Sequence, residues 1–300
     1  MADFSPGIWK DSRRVADIGL LVRRADIVRG MRAFFDARGF VEVETAVRID
    51  APAPEAHIDC PPVSTGGFLR ASPELQMKKL LAAGMERIYQ IGPCFRDGER
   101  GSRHNPEFTM IEWYRRGATY LDIMEDAENL LSELARFGAA DRRPAKANRL
   151  SVRDAYRRFA GWDPWTDWDR DRFDFDMATR IEPALKGMGV VFLVDYPVQA
   201  ASLARVSGSS TNAHAERWEL YWDGVELANC FTELCDEVEQ RRRFAAARAE
   251  RAELGEADYP MDEEFLSMLP IIGSAAGVAL GVDRLVMALT GAGNISSVRA

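Results

Sequence analysis

The segment from residue 94 to 114, CFRDGERGSRHNPEFTMIEWY, constrains the fold of this 300-residue chain more than any other. Arg96 stands just after an apolar run, Ile88-Tyr89-Gln90-Ile91. A glycine- and charge-rich loop follows over 97–105, and an alternating segment over 107–114. Successive side chains of a strand point to opposite faces. Phe108, Met110, Glu112 and Tyr114 therefore share one face, and Glu107, Thr109, Ile111 and Trp113 share the other. One face thus carries a ring, a carboxylate and a phenol in a row. A strand–loop–strand with arginine before the loop and phenylalanine after it suits a ligand that is both anionic and flat, as a nucleotide is.

The rest of the chain places helices between strands and hairpins. Residues 1–22 read as a short lead-in. Residues 24–38 read as an amphipathic helix with Ile27, Met31, Phe34 and Phe35 on one side and Gly39 at its stop. Residues 40–44 alternate as a strand. Ser72 caps, and Pro73 opens, a helix that Gly84 follows. A helix covers 120–137, a linker 142–148, and Ser151 with Asp154 caps a helix to 159. Residues 162–189 are expected as an inserted subregion, rich in Trp and Asp at its start and without a clear period. Residues 190–194 read as a buried strand, 218–233 as two strands turning at Asp223-Gly224, 236–254 as a charged helix, and 277–289 as strand, Gly281, helix. This order predicts an α+β domain over 23–300, an antiparallel sheet flanked by helices.

Composition narrows the class. No apolar run approaches membrane-spanning length and no signal-peptide core opens the chain, so a cytoplasmic protein is expected. Cys60, Cys94, Cys230 and Cys235 show no C-x-x-C spacing and there are three histidines, which argues against zinc. A net charge of −8 argues against a nucleic-acid clamp. Arg241-Arg242-Arg243 and Arg142-Arg143 read as solvated surface more readily than as docking patches.

With its neighbours, the run HNPEFTMIEWY resembles motif 2 of the class II aminoacyl-tRNA synthetases in their lysyl form. The helix, Gly39 and Glu42-Val43-Glu44-Thr45 resemble motif 1, that family's dimer interface, with Ala46 where the motif ends in proline. Gly281-Val282-Asp283-Arg284 resembles motif 3. The resemblance implies the class II catalytic fold. It also implies attack of a carboxylate on the α-phosphorus of ATP, giving an acyl-adenylate and pyrophosphate, a step served by positioning and charge neutralisation. It assigns Arg96 to the α-phosphate and the substrate carboxylate, His104 and Asn105 to ATP from the loop, and Phe108 to stacking on adenine. Arg284 covers the adenine's other face and reaches the γ-phosphate. Glu219 and Glu226 resemble the family's Mg²⁺–ATP carboxylates. Alternation puts Glu226 opposite to Asn229, Phe231 and Glu233, so a bulge near Ala228 is required. The family's loop glutamate is replaced by Gly98, with Glu99 one residue later as the candidate substitute. Gly277 and Gly281 are expected to let backbone approach the substrate.

The same resemblance assigns an amino-acid pocket. Glu74 holds one ammonium; Glu233, with Tyr114 and Glu112, receives a second; Asn229 and Phe231 orient the chain between them. Acids at both ends of a slot select a diamine acid. Ala279 stands where lysyl-tRNA synthetases have glycine, and Ser72 where they have alanine. About twenty residues precede the first helix, with no anticodon-binding domain. These features resemble the elongation factor P–(R)-β-lysine ligase family. They imply activation of (R)-β-lysine, or lysine, and transfer to a lysine side chain of elongation factor P by a homodimer that does not use tRNA. One alternative is a lysyl-tRNA ligase with a separate tRNA-binding partner. Another is a non-catalytic amino-acid sensor, which Arg96, Phe108 and Arg284 oppose. A third is amidation of a free amino acid, which the Glu233–Tyr114 pocket opposes.

Overall fold

The computed structural model describes residues 17–144, 146–209 and 211–299, so residues 1–16 of the expected lead-in lie outside the described residues. Eleven strands form: β1 (Val41–Glu42), β2 (Arg48–Ile49), β3 (Phe68–Leu69), β4 (Arg87–Phe95), β5 (Glu107–Arg116), β6 (Asn148–Ser151), β7 (Val190–Tyr196), β8 (Val206–Ser207), β9 (His214–Trp222), β10 (Val225–Thr232) and β11 (Ala275–Gly281). The helices are α1 (Ile18–Asp36), α2 (Glu74–Ala82), α3 (Tyr120–Leu134), α4 (Val152–Ala155), α5 (Arg170–Asp176), α6 (Glu182–Leu185), α7 (Glu237–Leu254), α8 (Glu263–Ile272) and α9 (Val282–Thr290). One sheet runs β1-β4-β5-β11-β10-β9-β7-β6, with β8 beside β9; β2 and β3 pair separately. The sheet is antiparallel except at its two ends, where β1–β4 and β6–β7 run parallel.

Alternation along the strands separates two cores. One face buries Ile111, Trp113, Trp218, Leu220 and Val278 against Ile27, Met31, Phe34 and Phe35 of α1, Leu130 and Leu131 of α3, and Leu285 of α9. The opposite face packs Tyr114, Val191, Leu193, Tyr221 and Phe231 with Leu75 of α2, Phe244 of α7 and Phe265 of α8. Residues 162–189 join this second core through Trp162, Phe173, Ile181 and Leu185. The arginine run of α7 is tied down by acids: Arg241 by Glu237 and Glu263, Arg242 and Arg243 by Glu239.

Three of the boundaries that differ from the sequence expectation bear on the site. Helix α1 begins six residues early because Asp17 accepts the Gly19 N–H at 2.8 Å and so caps it. The 40–44 strand shrinks to Val41 and Glu42, paired with Ile88 and Tyr89. Beyond it, the turn that lacks proline at Ala46 is held from outside. Buried Arg70 donates to the Thr45 and Ala46 carbonyls at 2.9 and 3.2 Å, and so replaces a fixed φ with hydrogen bonds. Finally, Pro73 stands at the cap of α2 and Glu74 begins it. The Ser72 hydroxyl accepts the Glu74 N–H at 3.0 Å and donates to Glu112 at 2.5 Å.

The centre of the sheet sets everything that follows. β11 lies between β5 and β10, and its register aligns Tyr114–Gly277–Phe231 and Glu112–Ala279–Asn229 across the three strands. The β9–β10 hairpin turns at Asp223 and Gly224, both with positive φ. Its register then slips between Glu226 and Ala228. This is the bulge that alternation demanded. After it Asn229 faces Glu219 and Phe231 faces Arg217, while Glu226 pairs with Tyr221 before it, so all six side chains share one face. Gly277 serves packing: it lines the cavity, and a β-carbon there would lie 2.1 Å from the Tyr114 ring. Gly281 would tolerate one, its nearest neighbour being the Arg284 side chain at 3.8 Å. Gly277→Ala is therefore expected to cost about 3 kcal/mol by overpacking, read by urea denaturation, whereas Gly281→Ala should cost less than half as much. Equal costs would remove Tyr114 from this account.

Candidate functional site

A cavity of about 280 Å³ opens on the face that carries α2 and the loop over 97–105. Every residue expected at the site lines it except Glu112: Ser72, Glu74, Arg96, Glu99, His104, Asn105, Phe108, Tyr114, Glu219, Glu226, Asn229, Phe231, Glu233, Ala279 and Arg284. Glu112 is wholly buried behind the wall, accepting from Ser72 at 2.5 Å and from the Tyr114 hydroxyl at 2.8 Å. It is thus corrected from a lining residue to one that fixes two lining residues.

One end is cationic. Arg96 ends β4's extension and its guanidinium lies 5.2 Å from the Phe108 ring centroid. Its Nε is buried without a hydrogen-bond partner among the described residues, and Glu99 lies 3.6 Å from its Nη1. Such a group is costly unless a ligand meets it. Arg284, at the start of α9, donates to the Glu226 carbonyl at 3.0 Å and lies 2.7 Å from His104 Nε2. Burial, then the Arg284 charge, pushes the His104 pKa down, so the imidazole is neutral at pH 7. Asp283 does not pair with Arg284; it pairs with Arg24 and accepts the Thr109 N–H at 2.9 Å. It pins α9 to α1 and β5 and leaves Arg284 facing the cavity. Backbone bonds clasp the loop: Ile295 N–H to the Ser102 carbonyl at 2.8 Å and Gly101 N–H to the His104 carbonyl at 3.0 Å.

Between this end and the floor stand Glu219 and Glu226. Burial, then the charge of Glu219, raises the Glu226 pKa. Like charges held together in this way favour a bound cation. Among the described residues no group of three or more Asp, Glu, His or Cys could hold a metal alone. Two carboxylates supplemented by phosphate oxygens suit Mg²⁺, which keeps water and phosphate in its shell.

The other end is acidic, and here the structure corrects the slot with one free acid at each end. Lys78 is buried in α2, one turn beyond Glu74, and its ammonium holds Glu74 and Glu233 alike, each at 2.5 Å. Burial alone would lower the lysine's pKa, yet Glu233 and Glu74 raise it above the ordinary value. Burial, then Glu74, pushes the Glu112 carboxyl up to about 7. Glu233 also moves up through burial, against the pull of Lys78.

Lys78, Arg217 and Glu55 are site residues that sequence reasoning missed. Lys78 had a signal, the i, i+4 spacing from Glu74 on a helix. Arg217 had one too, since it lies two residues before Glu219 on a strand. It binds Glu219 at 2.5 Å and the Asn229 side chain at 3.1 Å. Glu55 sits in a proline-flanked loop, where no period places it.

The chain matches the model for class II tRNA synthetases of the D, K and N type over residues 10–300. It is 37% identical to an elongation factor P–(R)-β-lysine ligase of Proteus mirabilis, covering 97% of this chain and 96% of that protein. It is 36% identical to the Vibrio cholerae protein of the same name, covering 95% of each. For the one from Photorhabdus laumondii the identity is 36%, over 97% and 96%. Among the described residues no helix is long and apolar enough to cross a membrane.

The titration of Glu112 gives a directional test. A cationic ligand favours the ionised carboxylate, which the empty site protonates in part at pH 7. Affinity for a diammonium acid such as lysine should therefore rise from pH 6 to 8, by up to about tenfold per unit for each coupled proton. Calorimetry in buffers of different ionisation enthalpy should show proton release at pH 6.5. A pH-independent affinity with no proton release contradicts this account of the acidic end.

Proposed function

Because this chain belongs to the elongation factor P–(R)-β-lysine ligase family, within the class II synthetases, we propose that it activates (R)-β-lysine, or less efficiently lysine, with ATP and transfers the acyl group to a lysine of elongation factor P. One observation carries this reading. A single cavity sets the Arg96, His104 and Arg284 cluster beside Phe108 at one end and the Glu74 and Glu233 carboxylates at the other, with Glu112 behind the wall and Ala279 in register between Asn229 and Glu112. A triphosphate joined to a flat base fits the first end, and a doubly aminated acid the second.

The geometry supports the following roles. Arg96, whose Nε lacks a partner among the described residues, takes the α-phosphate and the acid's carboxylate together in a planar fork. That clamp sets the carboxylate oxygen in line with the α-phosphorus, so binding energy supplies the approach. Phe108 stacks on adenine, and Arg284 leaves Glu226 for the nucleotide's other face and its γ-phosphate. Glu99, His104 and Asn105 close the loop over ATP. Glu219 and Glu226 would hold Mg²⁺, which screens phosphate charge. Pyrophosphate leaves, the target lysine's amine attacks the adenylate carbonyl, and AMP departs. Ser72 and Tyr114, fixed by Glu112, shape the amine pocket; Asn229 and Phe231 orient the chain. Residues 23–300 act as one catalytic domain.

Ala279 selects the substrate. Its methyl stands on the strand that faces the acid, where it crowds an amine on the α-carbon and leaves room for one on the β-carbon. In ATP–pyrophosphate exchange, Ala279→Gly should raise kcat/KM for lysine relative to (R)-β-lysine by about tenfold, the scale of one methyl in a pocket. An unchanged ratio removes Ala279 from the argument. Parallel acceptor assays with elongation factor P and with tRNA test the second step, and robust charging of tRNA by this chain alone overturns the acceptor.

On the motif 1 resemblance, a second copy would pack against α1 and β1. Ile18, Val22 and Val41 are 72%, 55% and 52% exposed there, an apolar edge that a homodimer would cover. Val41→Glu should shift sedimentation from dimer toward monomer. A wild-type protein that sediments as a monomer at micromolar concentration refutes the dimer.

A further inference from the structure

Glu55 is a carboxylate on the cavity wall that none of the roles above uses. Among the described residues its side chain has neither a hydrogen bond nor an ion pair, and burial, then the charge of Glu74, raises its pKa. Its backbone is firmly built. Pro52 and Pro54 precede it, both buried. Arg251, wholly buried near the end of α7, donates to the Glu55 carbonyl at 2.8 Å, to the Ile58 carbonyl at 3.1 Å and to Asp59 at 2.6 Å. The Tyr259 hydroxyl accepts the Cys60 N–H at 2.8 Å. The loop is then tied to the nucleotide side, where the Asp97 N–H reaches the Asp59 carbonyl at 2.8 Å. A rigid loop that holds an unpaired carboxylate against a cavity stores a cost that a cationic ligand would offset.

The neighbouring acids are already committed. Lys78 holds Glu74 and Glu233, while Glu112 is turned to Ser72 and Tyr114. Glu55 is the wall carboxylate left without a counterion among these, and Arg96 is among the charges that act on it. We propose that Glu55 receives the ammonium nearest the reacting carboxylate of the diamine acid, and so reads the proximal amine as a specificity residue. Lys78 makes this necessary, since it neutralises one unit of the acidic end before any substrate enters. This inference rests on the ligase reading, in which Arg96 takes the acid's carboxylate and the proximal amine lies one or two carbons away.

The test is Glu55→Gln in ATP–pyrophosphate exchange. The expected result is a fall of about 10- to 100-fold in kcat/KM for lysine and (R)-β-lysine, the scale of a hydrogen bond to a charged group. The KM for ATP should stay within about twofold. Inhibition by 6-aminohexanoate, which lacks the proximal amine, should be the same in both proteins. The melting temperature should hold or rise, because an unpaired charge has been removed. Unchanged kinetics overturn the inference, as does a melting temperature that falls along with activity, which marks a structural residue. Weaker inhibition by 6-aminohexanoate in the variant assigns Glu55 to the distal amine and also overturns it. Wild-type protein that supports no exchange with either acid overturns the ligase reading and this inference with it, whereas exchange by wild type with an unaffected variant overturns this inference alone.

Discussion

The register of β11 between β5 and β10 is the constraint on which the site depends. It aligns Glu112, Ala279 and Asn229 in one row and Tyr114, Gly277 and Phe231 in the next. A slip of one residue would turn these side chains into the helical core and bring Val278 and Leu280 to the cavity. The burial of Trp113, Val278 and Cys230 on the reverse face therefore fixes the chemistry on the front. Hydrophobic free energy on one side of the sheet is spent as positional accuracy on the other.

Given that floor, the cavity is organised by charge. Acidic carboxylates crowd one end, and alone they would take up protons rather than remain ionised together. Lys78 limits this by supplying a cation from within the fold, shared between Glu74 and Glu233. The site thus keeps enough negative charge for ammonium groups without the full repulsion of the empty cluster. Arg217 does the same for Glu219, next to Glu226. Both internal cations come from regular elements, a helix turn and a strand, so their positions are set by backbone hydrogen bonds rather than by loops.

Much of this was legible in the sequence. The faces of β5 followed from alternation alone, and the need for a bulge between Glu226 and Asn229 from alternation set against the family resemblance. A motif that demanded one face and a period that denied it left only an extra residue, which is Leu227. What was not legible depends on partners distant in sequence. The role of Gly277 shows only when the Tyr114 ring is seen across the strand. Glu112 passed for a wall residue because a strand face says nothing about depth. The 162–189 stretch defied pattern because a five-residue π-helical segment at 177–181 breaks the 3.6-residue period. Its Trp and Asp residues serve each other: Trp162 Nε1 donates to Asp176 at 2.8 Å, and Asp163 holds Arg153 and Arg157.

The two ends of the cavity also explain how an acidic protein can handle a polyanion. Net charge governs long-range steering, whereas a phosphate inside a cavity responds to groups a few ångströms away. Arg96, Arg103 and Arg284 line the nucleotide end together, and the acids that balance them, Glu99 and Glu226, can turn away or share a cation. Before ATP enters, those pairs keep the guanidinium groups from facing each other unscreened. In the proposed binding mode, phosphate oxygens would replace carboxylate oxygens on the same donors. In the proposed mode the exchange would cost little in desolvation because the donors are already partly dry, and Glu226, displaced from Arg284, would be free to hold a metal ion. If ATP and a metal ion bind as proposed, their binding would be coupled through one arginine, and each would strengthen the other by the same factor.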